Sequence, residues 1–266
     1  MTILFEHIDT SLRSYHGISV EEQQCRIHLQ GAVKDNLIDR EEKEEAIDEL
    51  KSLLEETGFH ANKELLTDIQ AIENPEVEVQ NFRIGEAYAE VILEQEFDCR
   101  FHWNENRDAR NPKGNKTGAD LVGFIEVDEQ VLFLFGEVKT SSEIANRPPQ
   151  VMTGADGMEK QLNVLYEERN KRQILIAYLQ NKARLYPEEH SFRIDCEASI
   201  RAYYAEGNYQ LIGVLVRDVD VDENDISISY ERLSTHILEP NGIKLVALYL
   251  PIKQSDWQSI LNESVE

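Results

Sequence analysis

The sequence predicts an α/β fold preceded by a mainly helical N-terminal accessory region. Three observations predict it. First, short apolar runs recur along the chain: Leu121–Ile125, Val131–Phe135, Ile212–Val216 and Leu245–Leu248. Continuous runs of this length suit strands buried on both faces. Second, segments with apolar residues at helical spacing lie between and around these runs. Third, the first 75 residues carry amphipathic, strongly acidic segments and end at Asn74-Pro75, a break that marks a boundary. The chain of 266 residues suits one large domain or a domain with an appendage. The expected division is residues 1–75 for the accessory region and 76–266 for the α/β domain.

In the accessory region, Asp39-x-x-Glu42 has the form of a capping box with Asp in the capping role. Ala46, Ile47, Leu50, Leu53 and Leu54 then recur at helical spacing, with Gly58 as a stop. Leu65, Leu66, Ile69 and Ile72 predict a second helix. In the α/β domain, Ile84, Ala87, Tyr88, Val91 and Ile92 form one stripe of a helix over 82–96. Phe97 to Trp103 reads as a strand, and 104–116, with Asn111-Pro112 and Gly114, as a polar loop. Two strands follow around the first two apolar runs, turned back on each other at 126–130. A long loop over 141–157 precedes helices over 158–169 and 172–185. Strands over 209–217 and 243–251 complete the pattern, separated by an acidic turn at 218–225.

The composition, 41% hydrophobic and 29% charged, is that of a soluble globular protein. No apolar run approaches a membrane span, and the first residues lack the basic and apolar parts of a signal peptide. The three cysteines, Cys25, Cys99 and Cys196, are far apart and form no Cys-x-x-Cys pair, which favours reduced thiols in a cytoplasmic protein. The net charge is −24, unusual for a chain that grips nucleic acid unaided. The charge is uneven, however. Residues 35–56 hold ten acids and three bases, whereas 100–116 hold Arg100, Arg107, Arg110, Lys113 and Lys116 against two acids. Arg169, Lys171, Arg172, Lys182 and Arg184 follow later, so the expected field near the mid-chain site is positive while the molecule as a whole is negative, a scatter of surface bases being the other reading.

The chemistry is concentrated in mid-chain. Gly118-Ala119-Asp120 opens the first strand of the hairpin, and Gly136-Glu137-Val138-Lys139 closes the second. Side chains alternate along a strand, so Glu137 and Lys139 share a face. The hairpin returns Asp120 to the same end, and paired strands lie roughly 4.8 Å apart. Two carboxylates and an ammonium thus converge at a strand end, where open sheets place their sites. Asp120 and Glu137 are hard oxygen donors suited to Mg²⁺ or Mn²⁺.

Helix, three strands, helix and strand, with Asp120 on the second strand and Glu137-Val138-Lys139 on the third, resembles the PD-(D/E)xK nuclease superfamily. Sixteen residues separate Asp120 from Glu137, and Ala119 stands where the name has Pro. The resemblance covers roughly residues 80–250. It implies a restriction-endonuclease-like core, a mixed sheet flanked by helices. It also implies Asp120, Glu137 and Lys139 as catalytic residues, with metal held by Asp120, Glu137, the Val138 carbonyl and a helix glutamate. Glu86 matches that last position best, with Glu90 one turn later in reserve. RecB-like members show Gln and Tyr four apart on the next helix; here Gln161 and Tyr166 are five apart, so that role does not transfer. The acidic helical N-terminal part, Gly-Ala-Asp and Gly-Glu-Val-Lys-Thr together look most like the HamA family, nuclease subunits of Hachiman antiphage defence. That resemblance implies Mg²⁺-dependent DNA cleavage as effector of a complex with a HamB-like helicase. Two alternatives stand beside it: a catalytically silent interaction module on the same fold, and a stand-alone repair or restriction nuclease.

Overall fold

The structure is a computed structural model of the 266-residue chain, and residues 1–55, 60, 62–73, 75–108 and 118–263 are described. The chain opens with a hairpin of β1 (Thr2–Thr10) and β2 (Arg13–Ser19). Helix α1 (Glu22–His28) continues through a kinked turn at Gly31 into α2 (Lys34–Ile38). Helices α3 (Arg40–Glu55) and α4 (Lys63–Glu73) pack on each other, and α5 (Asn81–Glu96) follows. Next come β3 (Cys99–Arg100), β4 (Leu121–Val127) and β5 (Gln130–Ser141). The short α6 (Pro149–Met152) leads to α7 (Met158–Glu167), α8 (Arg169–Ala183) and α9 (Ser191–Arg201). Strand β6 (Gln210–Arg217), α10 (Ser227–His236), β7 (Gly242–Tyr249) and α11 (Gln254–Leu261) complete the described chain.

The strands form one mixed seven-stranded sheet in the order β1-β2-β7-β6-β5-β4-β3. Strands β2, β7, β6 and β5 run parallel; β1, β4 and β3 pair antiparallel with their neighbours. All eight positions of both β6 and β7 are buried, as the continuous apolar runs predict for central strands covered on both faces. Period two then sorts β5 between two cores. Leu132, Leu134 and Val138 join Ile84, Tyr88 and Ile92 of α5 and Trp257 of α11. Phe133 and Phe135 face Met158, Leu162, Ile176 and Phe192 of α7–α9. The β4–β5 turn has Asp128 and Glu129 both at positive φ, the backbone of a tight two-residue hairpin that holds Leu121 opposite Gly136.

Several expectations are corrected. The accessory region is helical over 22–55 and 63–73, but residues 2–19 are strands, and β2 pairs in register with β7 inside the main sheet. Arg13, Ser14, Tyr15 and His16 are buried in β2, so polar residues line a sheet interior there and hide the strand from a hydrophobicity pattern. Asp39 does not form a capping box. It adopts a left-handed backbone, and its carboxylate accepts from Arg107 at 2.8 and 3.1 Å instead. The strand expected over 97–103 shrinks to Cys99–Arg100, because Asp98 turns at positive φ and the Phe101 amide donates to Glu94. Helices α9, α10 and α11 lie outside the segments read as elements in the sequence. The stop at Gly58, the break residue Asn74 and most of the 104–116 loop lie outside the described residues.

Candidate active site

Asp120 precedes β4 by one residue. One step beyond the Leu121–Gly136 pair, it stands opposite Glu137 in the hairpin register. Its Oδ2 accepts from the Val138 amide at 2.9 Å, which ties the strand ends together. Glu137 and Lys139 alternate onto the same face of β5, and Lys139 Nζ donates to Glu137 Oε1 at 2.6 Å. The convergence expected from strand geometry is therefore present for Asp120, Glu137 and Lys139.

Glu86 arrives from α5. That helix lies close to the end of β5: a methyl group added at Gly85 would sit 2.2 Å from Thr140 Oγ1. Gly85 is thus the residue that lets the helix approach, and Glu86 next to it reaches the site. Glu86 is buried and accepts from Arg83 at 3.1 Å. The structure separates the two helix carboxylates. Glu86 lines the same cavity as Asp120 and Glu137, whereas Glu90 turns to Asn36.

The cavity has a volume of about 640 Å³ and is also lined by Val138, Thr140 and, from α7, Gln161. Tyr166 is not part of it; its hydroxyl accepts from the Leu238 amide. A second cavity of about 700 Å³ adjoins it through Lys139, Val151 and Asp156 and runs along α6. The long loop after β5 therefore forms one wall of a groove at the site. Thr140 is the last residue of the Gly-Glu-Val-Lys-Thr motif; Arg83 and Asp156 belong to no motif in the sequence, and of these two only Arg83 carries a signal, its i, i+3 spacing to Glu86.

The electrostatics follow from burial. Glu137 is 6% exposed, and burial first, then the Asp120 charge, push its carboxyl up to about 7; Lys139 opposes the shift and Glu86 adds to it. Such a group accepts a countercharge readily. The donor set is all oxygen, which fits a hard divalent cation. As they stand, each glutamate is engaged by a base, Glu137 by Lys139 and Glu86 by Arg83, and no three His, Cys, Asp or Glu side chains among the described residues are gathered closely enough to hold an ion. Thr140 Oγ1, buried and without a hydrogen-bond partner among the described residues, is a further oxygen at the cavity wall.

The basic stretch is largely neutralised where it is described. Arg100 pairs with Glu126 and Asp195, and Arg107 pairs with Asp39 and Glu41. Arg110, Lys113 and Lys116 lie outside the described residues. Arg172 is buried, donating to the carbonyls of Leu165 and Tyr166 and stacked on Tyr209, so it is a packing residue and not a surface base. The three cysteines are free and buried. No described helix is long and apolar enough to cross a membrane. No family model, curated protein or solved structure matches this chain.

Proposed function

We propose that this chain is a Mg²⁺- or Mn²⁺-dependent deoxyribonuclease of the PD-(D/E)xK type, acting as the DNA-degrading effector of a HamA-like antiphage complex with a HamB-like helicase. The observation that carries the catalytic reading is the shared cavity of Glu86, Asp120, Glu137 and Lys139, brought together from α5 and both arms of the β4–β5 hairpin. Glu86, Asp120, Glu137 and the Val138 carbonyl would hold the ion. When bound, it polarises the phosphate and lowers the pKa of a coordinated water.

The chain's own residues supply the rest. Asp120, fixed by the Val138 amide, has little freedom to turn away and serves as the anchoring carboxylate. Lys139 brings an ammonium beside Glu137, where it orients the attacking water and offsets charge growing on the phosphate oxygens. Arg83, released from Glu86, adds a second positive charge at the cavity wall. The groove along α6 gives the strand flanking the scissile phosphate a path.

The partner follows from electrostatics. A −24 chain repels DNA at long range, and Arg100 and Arg107 are already spent on internal carboxylates. A helicase that carries DNA to the site removes that penalty through local concentration. The α3 helix, with no buried residue, is the proposed docking element. The test compares DNA cleavage by the chain alone and with its helicase, in Mg²⁺ and in EDTA. Cleavage that survives EDTA would overturn the metal reading. Full cleavage by the chain alone at physiological salt would overturn the partner.

A further inference from the structure

On the side of the sheet covered by α5, away from the carboxylate cluster, a smaller cavity of about 240 Å³ opens between β1, β2, β7 and the end of α5. Its floor is polar and its walls are apolar. Lys244 of β7 stands opposite Ser14 in register, and its Nζ donates to Ser14 Oγ at 2.9 Å. His16 Nε2 lies 2.9 Å from the same oxygen. Ser14 Oγ therefore accepts from the ammonium and shares a second hydrogen bond with His16 Nε2. Ile3, Ile8, Ile18 and Phe97 form the walls, with the Phe97 ring 5.1 Å from Nζ. The β-bulge between Ile3 and Phe5 places Ile3 opposite Ile18, on the face shared by Glu6 and Ile8.

The unusual feature is the ammonium. Lys244 is 7% exposed, and among the described residues no carboxylate forms an ion pair with it. A buried charge without a counter-charge is costly, and such groups are normally paired. Ser14 satisfies one of its three donors and supplies no charge. The remaining donors point to an anion that the described residues do not provide.

We infer that this cavity binds a small monocarboxylate with a short apolar tail, its carboxylate on Lys244 and its tail against Ile3, Ile8, Ile18 and Phe97. At about 240 Å³ the cavity is the smallest of those described and suits a short chain or a single ring, not a long acyl chain. A monoanion is favoured over a phosphate dianion for two reasons. The site carries one positive charge, because burial and the Lys244 charge hold His16 down to about 4 and so keep it neutral near pH 7. Glu96 lines the cavity, and Glu6 lies 3.6 Å from His16 Nδ1, so further negative charge is repelled. The inference stands independently of the nuclease reading.

The test uses the full chain with hexanoate as probe, at millimolar concentration, followed by thermal unfolding and by NMR. Hexanoate should raise the melting temperature saturably and show intermolecular NOEs to Ile18 and Phe97. Hexanamide, which keeps the tail and loses the charge, and inorganic phosphate, which keeps a charge and loses the tail, should each bind roughly tenfold more weakly or worse. Lys244→Met should abolish the hexanoate effect. If that variant fails to fold, the wild-type NOEs and the hexanamide comparison decide alone. Equal binding of hexanoate and hexanamide, tighter binding of phosphate, or no NOE to these side chains would each overturn the inference.

Discussion

Glu137→Gln probes the candidate site without any assumption about substrate. The buried carboxyl titrates at about 7 instead of its ordinary 4.5, chiefly from burial and then from the Asp120 charge. The folded chain therefore holds this proton more tightly than the unfolded chain does. Below pH 4.5 both states are protonated and the group costs nothing. Stability then falls as pH rises from 4.5 to about 7, and above that the whole cost is present. At about 1.4 kcal/mol per pH unit, the interval amounts to about 3 kcal/mol. Gln copies the neutral form and does not titrate. The stability difference between variant and wild type should therefore grow in favour of Gln by about 3 kcal/mol between pH 4 and pH 8, on the order of 5–10 °C in melting temperature for a chain of this size. The Lys139 contact favours the ionised carboxylate and is already contained in the value of about 7, so it adds no separate slope. Denaturant unfolding in EDTA across that range is the measurement. Mg²⁺ should then restore wild-type stability at pH 8 and leave the variant unchanged, since a bound cation relieves repulsion that the variant lacks. Parallel pH curves for the two proteins would refute the reasoning, because Glu137 would then be an ordinary solvated carboxylate.

Other expectations follow from the same geometry. Lys139→Ala and Glu137→Ala should each abolish DNA cleavage while circular dichroism stays unchanged, because both side chains line the open cavity and neither belongs to the apolar cores; retained Mg²⁺-dependent cleavage in both would remove the site assignment. Glu86→Gln should lower Mn²⁺ affinity measured by calorimetry, whereas Glu90→Gln should not, since only Glu86 lines the cavity. Gly85→Ala should cost about 1–3 kcal/mol through the contact with Thr140 Oγ1, and Thr140→Ala in the same chain should recover most of it; additive losses in the double variant would rule out that contact as the cause. Mn²⁺ should replace Mg²⁺ in a cleavage assay and Ca²⁺ should bind without turnover, its looser coordination placing water poorly; full activity in Ca²⁺ would contradict this.

What the sequence determined by itself was local. Runs such as Val131–Phe135 and Ile212–Val216 state burial on both faces, and period two then places Glu137 and Lys139 together at a strand end. The short 126–130 segment makes a hairpin of the flanking runs, which brings Asp120 opposite Glu137. The stripe from Ile84 to Ile92 states a helix and the side on which it packs. Other features depend on residues far apart in the chain, and these only the tertiary structure decided. The first strands carry polar residues whose burial comes from β7, more than 220 positions away, so Arg13 to His16 read as surface until the sheet is assembled. Asp39 has the local form of a helix cap, but a guanidinium 68 residues distant competes for its carboxylate, and a two-point pair of opposite full charges outweighs a single bond from an amide. The same holds for charge: the bases of 100–116 look like a positive patch in sequence, yet Arg100 and Arg107 meet distant acids in space. Glu86 and Glu90 look alike on the helix, and only the packing separates them: Glu86 lines the cavity with Asp120 and Glu137, while Glu90 accepts from Asn36, 54 positions away. The isolated ammonium of Lys244 is visible only once β2 and β7 lie side by side.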